Sequence, residues 1–167
     1  MLQVPCALII RDGKMLVAKR PLGKDQGGKW ESPGGKADEG ESHVEALRRE
    51  LHEELDILAE IGFMVANTQC LPPEVKKPCE VTFYAARILE GEPRPLASDE
   101  LKWVSAEEFL ELDLCIANHK CRAQIAGFLI GCGMAQGLFP PAHARVLMLR
   151  AIAIAAQDGI VAEPAQA

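Results

Sequence analysis

Hydrophobic and polar positions follow two periods along this chain, and the change from one to the other marks its elements. Residues 3–10 (QVPCALII) are an apolar run, followed by Asp12-Gly13 and a second apolar run through Met15, Leu16, Val17 and Ala18. Apolar stretches flanking an Asp-Gly pair predict a β-hairpin, because that dipeptide accepts the positive φ angles of a tight turn. Residues 21–29 (PLGKDQGGK) hold three glycines and a proline and predict a mobile loop. Residues 30–36 (WESPGGK) predict a short strand running into a glycine turn. From residue 42 to 58 the period becomes helical, with Val44, Leu47, Leu51, Leu55 and Leu58 on one stripe. Ser42 followed by Glu45 predicts a capping box at the start of that helix, and Asp56 marks the region of its end.

Residues 60–69 and 80–89 are rich in β-branched and aromatic side chains and predict strands, with Pro72-Pro73 and Pro78 bounding the loop between them. Gly91, Pro93 and Pro95 mark a turn, residues 102–104 a short strand, and Ser105 the cap of a brief helix. Helices are predicted over 119–132 and 142–157, the second apolar around much of its circumference, and the tail 163–167 is expected to fray. No repeat, low-complexity tract or linker divides the chain. Strands and helices mix without regular βαβ alternation, so the expected class is α+β, an α/β/α sandwich.

Composition narrows the functions. The chain has 167 residues, 49% hydrophobic and 25% charged, the balance of a globular protein with room for a core. Its formal net charge of −6 argues against a nucleic-acid partner, which would call for a basic face. A small phosphorylated ligand stays compatible, because a metal ion can supply positive charge locally. The six cysteines lack CxxC spacing and are expected to be reduced, mostly buried thiols. With no signal pattern and no segment apolar enough to span a bilayer, the expectation is a cytoplasmic protein without a membrane partner.

The chemistry concentrates in Arg49-Glu50-Leu51-His52-Glu53-Glu54. Glu50, Glu53 and Glu54 stand at i, i+3 and i+4, within about 100° of helical arc. Like charges at this spacing repel by roughly 0.2–0.5 kcal/mol per pair, and a hard divalent cation with oxygen ligands cancels that repulsion. The alternative is a solvated acidic face, a common feature of helices. Upstream, Gly34-Gly35 permits close approach of backbone to a ligand, and Glu41 precedes Arg49 in the connecting loop.

Residues 35–57 (GKADEGESHVEALRRELHEELDI) resemble the Nudix box, G-x5-E-x7-R-E-U-x-E-E-x-G-U, at Gly35, Glu41, Arg49, Glu50, Leu51, Glu53, Glu54 and Ile57. Asp56 stands where the family has glycine, a position that often needs a left-handed conformation, and Asp tolerates this better than most residues. The likeness extends to about residue 125 and is greatest to MutT-like members. It implies a Nudix-type sandwich with a mixed central sheet over residues 1–130; the last forty or so residues have no counterpart in the short family members, and 131–167 are expected to form a C-terminal helical extension packed on the same domain. The implied activity is Mg²⁺-dependent (or Mn²⁺-dependent) hydrolysis of a nucleoside triphosphate, oxidised dGTP or a relative, to the monophosphate and pyrophosphate. Alternatives are cleavage of ADP-ribose or dinucleoside polyphosphates, or a non-catalytic nucleotide-binding regulator, which would be expected to lose a metal-ligand glutamate.

The resemblance assigns Glu50, Glu53 and Glu54 as metal ligands, with the Gly34 carbonyl as a further one and Glu53 or Glu54 as the base that activates water. Arg49 is expected to orient these carboxylates, and Glu41 to close the loop onto the helix. Glu100, or its neighbour Asp99, is a candidate extra acid, with a solvated pair as the alternative. Arg20 and Lys36 are candidate phosphate contacts. Asn118 is a candidate base reader, an amide being able to donate and accept on one purine edge, or else a helix N-cap. Trp30 and Trp103 are expected to pack in the core. The four histidines form no ligand pattern, and the apolar C-terminal helix offers a surface for a homodimer.

Overall fold

A computed structural model describes residues 1–157; the expected fraying of 163–167 lies outside the described residues. The hairpin forms as predicted. β1 (Leu2–Arg11) and β2 (Lys14–Lys19) are antiparallel, and Asp12 (φ 50°) and Gly13 (φ 72°) take the positive φ angles of their turn. β3 (Trp30–Glu31) is shorter than the strand expected over 30–36. The chain then runs through α1 (His43–Leu55), β4 (Leu58–Cys70), β5 (Cys79–Glu90) and β6 (Glu100–Val104). α2 (Ala106–Glu111), α3 (Ile116–Lys120), α4 (Arg122–Ala135) and α5 (Pro141–Gln157) follow.

The sheet is mixed, six-stranded, in the order β3-β2-β1-β5-β4, with β6 along β2. β1 runs parallel to β5, in register from Leu2 opposite Cys79 to Ile9 opposite Ala86, whereas β4–β5, β2–β3 and β2–β6 are antiparallel. The apolar run of β1 is explained by burial on both faces. Ala7 and Ile9 point into a cluster with Leu47, Leu51 and Leu55 of α1. Cys6 and Leu8 point the other way, into a cluster with Phe109 of α2, Ile125 and Leu129 of α4, and Leu147 of α5.

Two elements differ from expectation. The long helix ends at Leu55, because Asp56 is left-handed (φ 58°, ψ 42°) and its N–H closes the last turn on the His52 carbonyl. Leu58 therefore begins β4 and is exposed rather than completing the apolar stripe. The helix expected over 119–132 starts earlier and is divided, with Cys121 (φ −99°, ψ 13°) as the joint between α3 and α4. Asn118 thus lies inside α3 and is not an N-cap.

The gap between β1 and the far end of β2 is filled by the segment after β3. Ala7 N–H donates to the Pro33 carbonyl and Ala37 N–H to the Gln3 carbonyl, so the glycine turn is tied along the edge of β1. This places Gly34 and Gly35 beside the polar face of α1.

Candidate functional site

α1 begins with the predicted capping box. The Ser42 hydroxyl accepts from Glu45 N–H, and the Glu45 carboxylate accepts from Ser42 N–H at 2.9 Å. With Ala46, Leu47, Leu51 and Leu55 buried, the helix is held at a fixed rotation. Glu50 and Glu54 then face a cavity of about 710 Å³, which Gly34, Gly35 and Lys36 also line. Gly34 has φ 152°, and a Cβ there would lie 2.3 Å from the Pro5 carbonyl oxygen. A Cβ at Gly35 would lie 2.3 Å from the Glu50 carboxyl carbon. Gly34 is thus required by its close approach to the backbone of β1, whereas a side chain at Gly35 would displace the Glu50 carboxylate.

Arg49 gathers the loop and the helix. Its guanidinium donates to both Glu41 carboxylate oxygens (2.9 and 2.8 Å), to Glu50 Oε1 (2.8 Å) and to the Lys36 carbonyl (3.0 Å). Hydrogen bonds from Arg49 hold the Glu41 carboxyl down at about 2. Glu53 lies 3.6 Å from Arg49, is 59% exposed and faces outward, and it is not among the residues lining the cavity.

Burial pushes the Glu54 carboxyl up to about 7, and the negative charges of Glu50 and Glu31 push it the same way. Glu31 lines the same cavity, and burial raises its carboxyl despite a two-oxygen ion pair with Arg20 Nη1 (2.9 and 2.8 Å). The sequence reading missed Glu31. Trp30 packs toward the core, which turns its strand neighbour Glu31 to the site, but a two-residue strand carries no alternation from which this could be read. Arg20 lines the cavity, but its charge is directed largely to Glu31, and its Nε donates to the Asp25 carbonyl. Lys24, Lys76 and Lys77 also stand on the lining.

Asn118 is 2% exposed and faces the cavity. Its Oδ1 accepts from Ser32 N–H and its Nδ2 donates to Ser32 Oγ, so one donor and one acceptor of the amide are already used. Leu2, Val4, Val75, Val81 and Ile116 give the adjoining wall an apolar character. Glu100 is elsewhere. It opens β6 opposite Lys19, with 3.8 Å between their charges, and neither it nor Asp99 lines the cavity. Trp30 packs against the core, and Trp103 packs beside α1 under the Arg11 guanidinium, 4.2 Å above its ring.

Among the described residues no three His, Cys, Asp or Glu side chains stand ready as a complete metal cage. The donors are nevertheless of the right kind. Glu50 and Glu54 offer hard oxygen ligands on a wall whose mutual repulsion a divalent cation would relieve, and Glu53 is one helical turn away. Among the described residues no helix is long and apolar enough to cross a membrane.

Comparison with known proteins bears on the same segment. Residues 1–124 match the family model described as NUDIX domain. The chain is 52% identical over 69 residues to the CTP pyrophosphohydrolase of Escherichia coli, covering 41% of this chain and 51% of that enzyme. The match therefore spans about half the length of that relative. Over 132 residues it is 35% identical to the putative 8-oxo-dGTP diphosphatase 2 of Mycobacterium tuberculosis, covering 77% of this chain and 90% of that one. Among solved structures, the MutT NUDIX hydrolase from Burkholderia pseudomallei superposes with a TM-score of 0.59 at 29% identity, over 64% of this chain and 84% of that chain.

Proposed function

The chain belongs to the NUDIX family, and on that premise we propose that it hydrolyses a nucleoside triphosphate to the monophosphate and pyrophosphate with the help of Mg²⁺ or Mn²⁺. One observation carries the reading. Glu50 and Glu54 share a cavity of about 710 Å³ with the Gly34-Gly35 turn, with cationic side chains and with an apolar wall. The acidic side takes the metal and the water. The lysines take phosphate charge, and the wall of Val4, Val75 and Ile116 takes the base.

Glu50, Glu54 and, after turning inward, Glu53 would hold the ion, with the Gly34 carbonyl as a further donor. When bound, the ion neutralises phosphate charge and lowers the pKa of a coordinated water. The chain's own residues do the rest. Arg49 fixes the carboxylate of Glu50 through charge-assisted hydrogen bonds. Glu54 lines the cavity beside Glu50, where it would hold the ion or take a proton from water. Lys36 and Lys24 stand where they can meet the phosphates, with Arg20 behind them locked to Glu31. The remaining donor and acceptor capacity of Asn118 is offered to the base. Oxidised dGTP and related triphosphates are the substrates proposed, with CTP as the pyrimidine rival.

The test is a panel of oxidised dGTP, dGTP, CTP, ADP-ribose and a dinucleoside polyphosphate, run with Mg²⁺ on wild type and on Glu54→Gln. Pyrophosphate released from one triphosphate, and lost with chelator or with Glu54→Gln, is the expected result. Turnover confined to ADP-ribose or dinucleotides would move the substrate assignment, and turnover indifferent to chelator would end the metal reading.

A further inference from the structure

Four thiols that the proposed reaction does not use line the cavity, Cys6, Cys70, Cys79 and Cys115, and two of them face each other across a pair of strands. Cys70, the last residue of β4, is the register partner of Cys79, the first residue of β5. Directly opposed residues on antiparallel strands have Cα atoms about 4.5–5.5 Å apart, inside the roughly 4.4–6.8 Å range of disulfides. Both thiols are free. Both line the cavity, as do Val75, Lys76 and Lys77 of the loop they bracket, residues 71–78.

We propose that Cys70 and Cys79 form a dithiol site on the cavity wall, closed reversibly to a disulfide by exchange with a low-molecular-weight disulfide. Other pairings are disfavoured by position. On β1 the register partner of Cys79 is Leu2, and Cys6 sits four residues further along, opposite Phe83. That offset is about 13 Å of strand, beyond disulfide reach. Cys121 is buried at the α3–α4 joint and is on no strand, so no register sets it opposite Cys70 or Cys79.

Cys79 is half-buried and is reached from the cavity, whereas Cys70 is buried. Cys79 therefore attacks the small disulfide first. A mixed disulfide forms on its Sγ, and one small thiolate leaves. Cys70 then attacks Cys79 Sγ, and the second small thiol departs with the electron pair of the broken bond. The two protons lost by the protein thiols end on the two released thiols, so one protein dithiol is oxidised and one small disulfide is reduced. Burial raises both protein thiols, Cys70 to about 11, while the Lys120 ammonium, hydrogen-bonded to the Gln69 carbonyl at 3.1 Å, acts in the opposite sense. The pair is accordingly a slow responder, since little thiolate is present to attack. Its closure joins the ends of the 71–78 loop and fixes the wall that carries Lys76 and Lys77. The consequence for nucleotide turnover rests on the function proposed above; the crosslink itself does not.

The experiment treats the full chain with glutathione disulfide in the absence of nucleotide, followed by intact-mass measurement, thiol titration and peptide mapping. Wild type should lose two hydrogens and two of its six free thiols, with Cys70 joined to Cys79, and dithiothreitol should reverse both changes. Cys70→Ser should stop at a glutathione adduct on Cys79, while Cys6→Ser and Cys121→Ser should still close the 70–79 bond. No crosslink in wild type, or Cys79 joined to Cys6, or Cys70 joined to Cys121, overturns the proposal. The oxidised protein should turn nucleotide over about tenfold more slowly, the scale of a modest coupling, and unchanged turnover overturns the regulatory consequence. Absence of turnover before any oxidation would instead count against the proposed function, with the mass readout still deciding the crosslink.

Discussion

Glu54 is the residue whose environment does most to set the chemistry. Its carboxyl is pushed up to about 7 by burial and by Glu50 and Glu31. An acid raised on folding stabilises the fold below its unfolded value near 4.3, and that contribution is lost as pH rises through about 7. In chelator, Glu54→Gln should therefore gain thermal stability over wild type at pH 8 and little at pH 5, while losing at least about a hundredfold in turnover with metal. Differential scanning at both pH values, and again with Mg²⁺ added, checks it. Glu41 has the opposite sign. Held at about 2 by Arg49, it stabilises above the unfolded value, so the Tm advantage of wild type over Glu41→Gln should shrink as pH falls from about 4.3 toward 2. Gly35→Ala tests the close approach, since its Cβ would collide with the Glu50 carboxyl. Activity should drop while the helix stays folded by circular dichroism. The carboxylates of α1 were legible in the sequence because helical spacing puts them on one arc. Glu31 was not, because its role depends on β3 pairing with β2 and on Arg20 reaching it, contacts that no local period encodes. The inward placing of Glu50 and Glu54, with Glu53 outside, depends likewise on the rotation that Leu47 and Leu51 impose.

At the scale of elements, α1 carries both its start and its stop in the sequence. Removing the cap hydroxyl with Ser42→Ala should cost about 1 kcal/mol in urea unfolding. At the other end, Asp56→Gly sets two effects against each other. Glycine relieves the left-handed backbone at φ 58°, and the change also removes the exposed ion pair with Arg94. Each is worth up to about 1 kcal/mol, so the net change should stay within about 0.5 kcal/mol. The expectation that Asp could stand where the family has glycine rested on this conformation, and the structure has it. The division of α3 from α4 was illegible for a complementary reason. Residues 116–135 contain no proline, and the glycines at 127, 131 and 133 all lie beyond the joint. The break is imposed where α3 docks Asn118 onto Ser32, a contact of long range.

For the whole molecule, the two-sided burial of β1 was readable from its unbroken apolar run, but the strand order was not. Nothing local in residues 3–10 announces a parallel partner near residue 80. The C-terminal helix is similar. Its apolar residues were plain, yet which of them pack had to come from the structure. Leu147 is 3% exposed within the cluster shared with α2 and α4, whereas Leu149 is 59% exposed. Leu147→Ala should cost about 2–5 kcal/mol, and Leu149→Ala within about 0.5 kcal/mol, as read by chemical denaturation of the full chain.

The parallel pairing of β1 with β5 also governs how the protein must be made. A nascent chain can wind α1 and close the β1–β2 hairpin soon after they leave the ribosome, but the edge of β1 that meets β5 has nothing to zip against until residues 79–90 have emerged. For that interval a sticky half-sheet is on offer to chaperones and to other unfinished copies. Translation stalled anywhere before residue 79 should yield aggregates rather than a smaller, working protein.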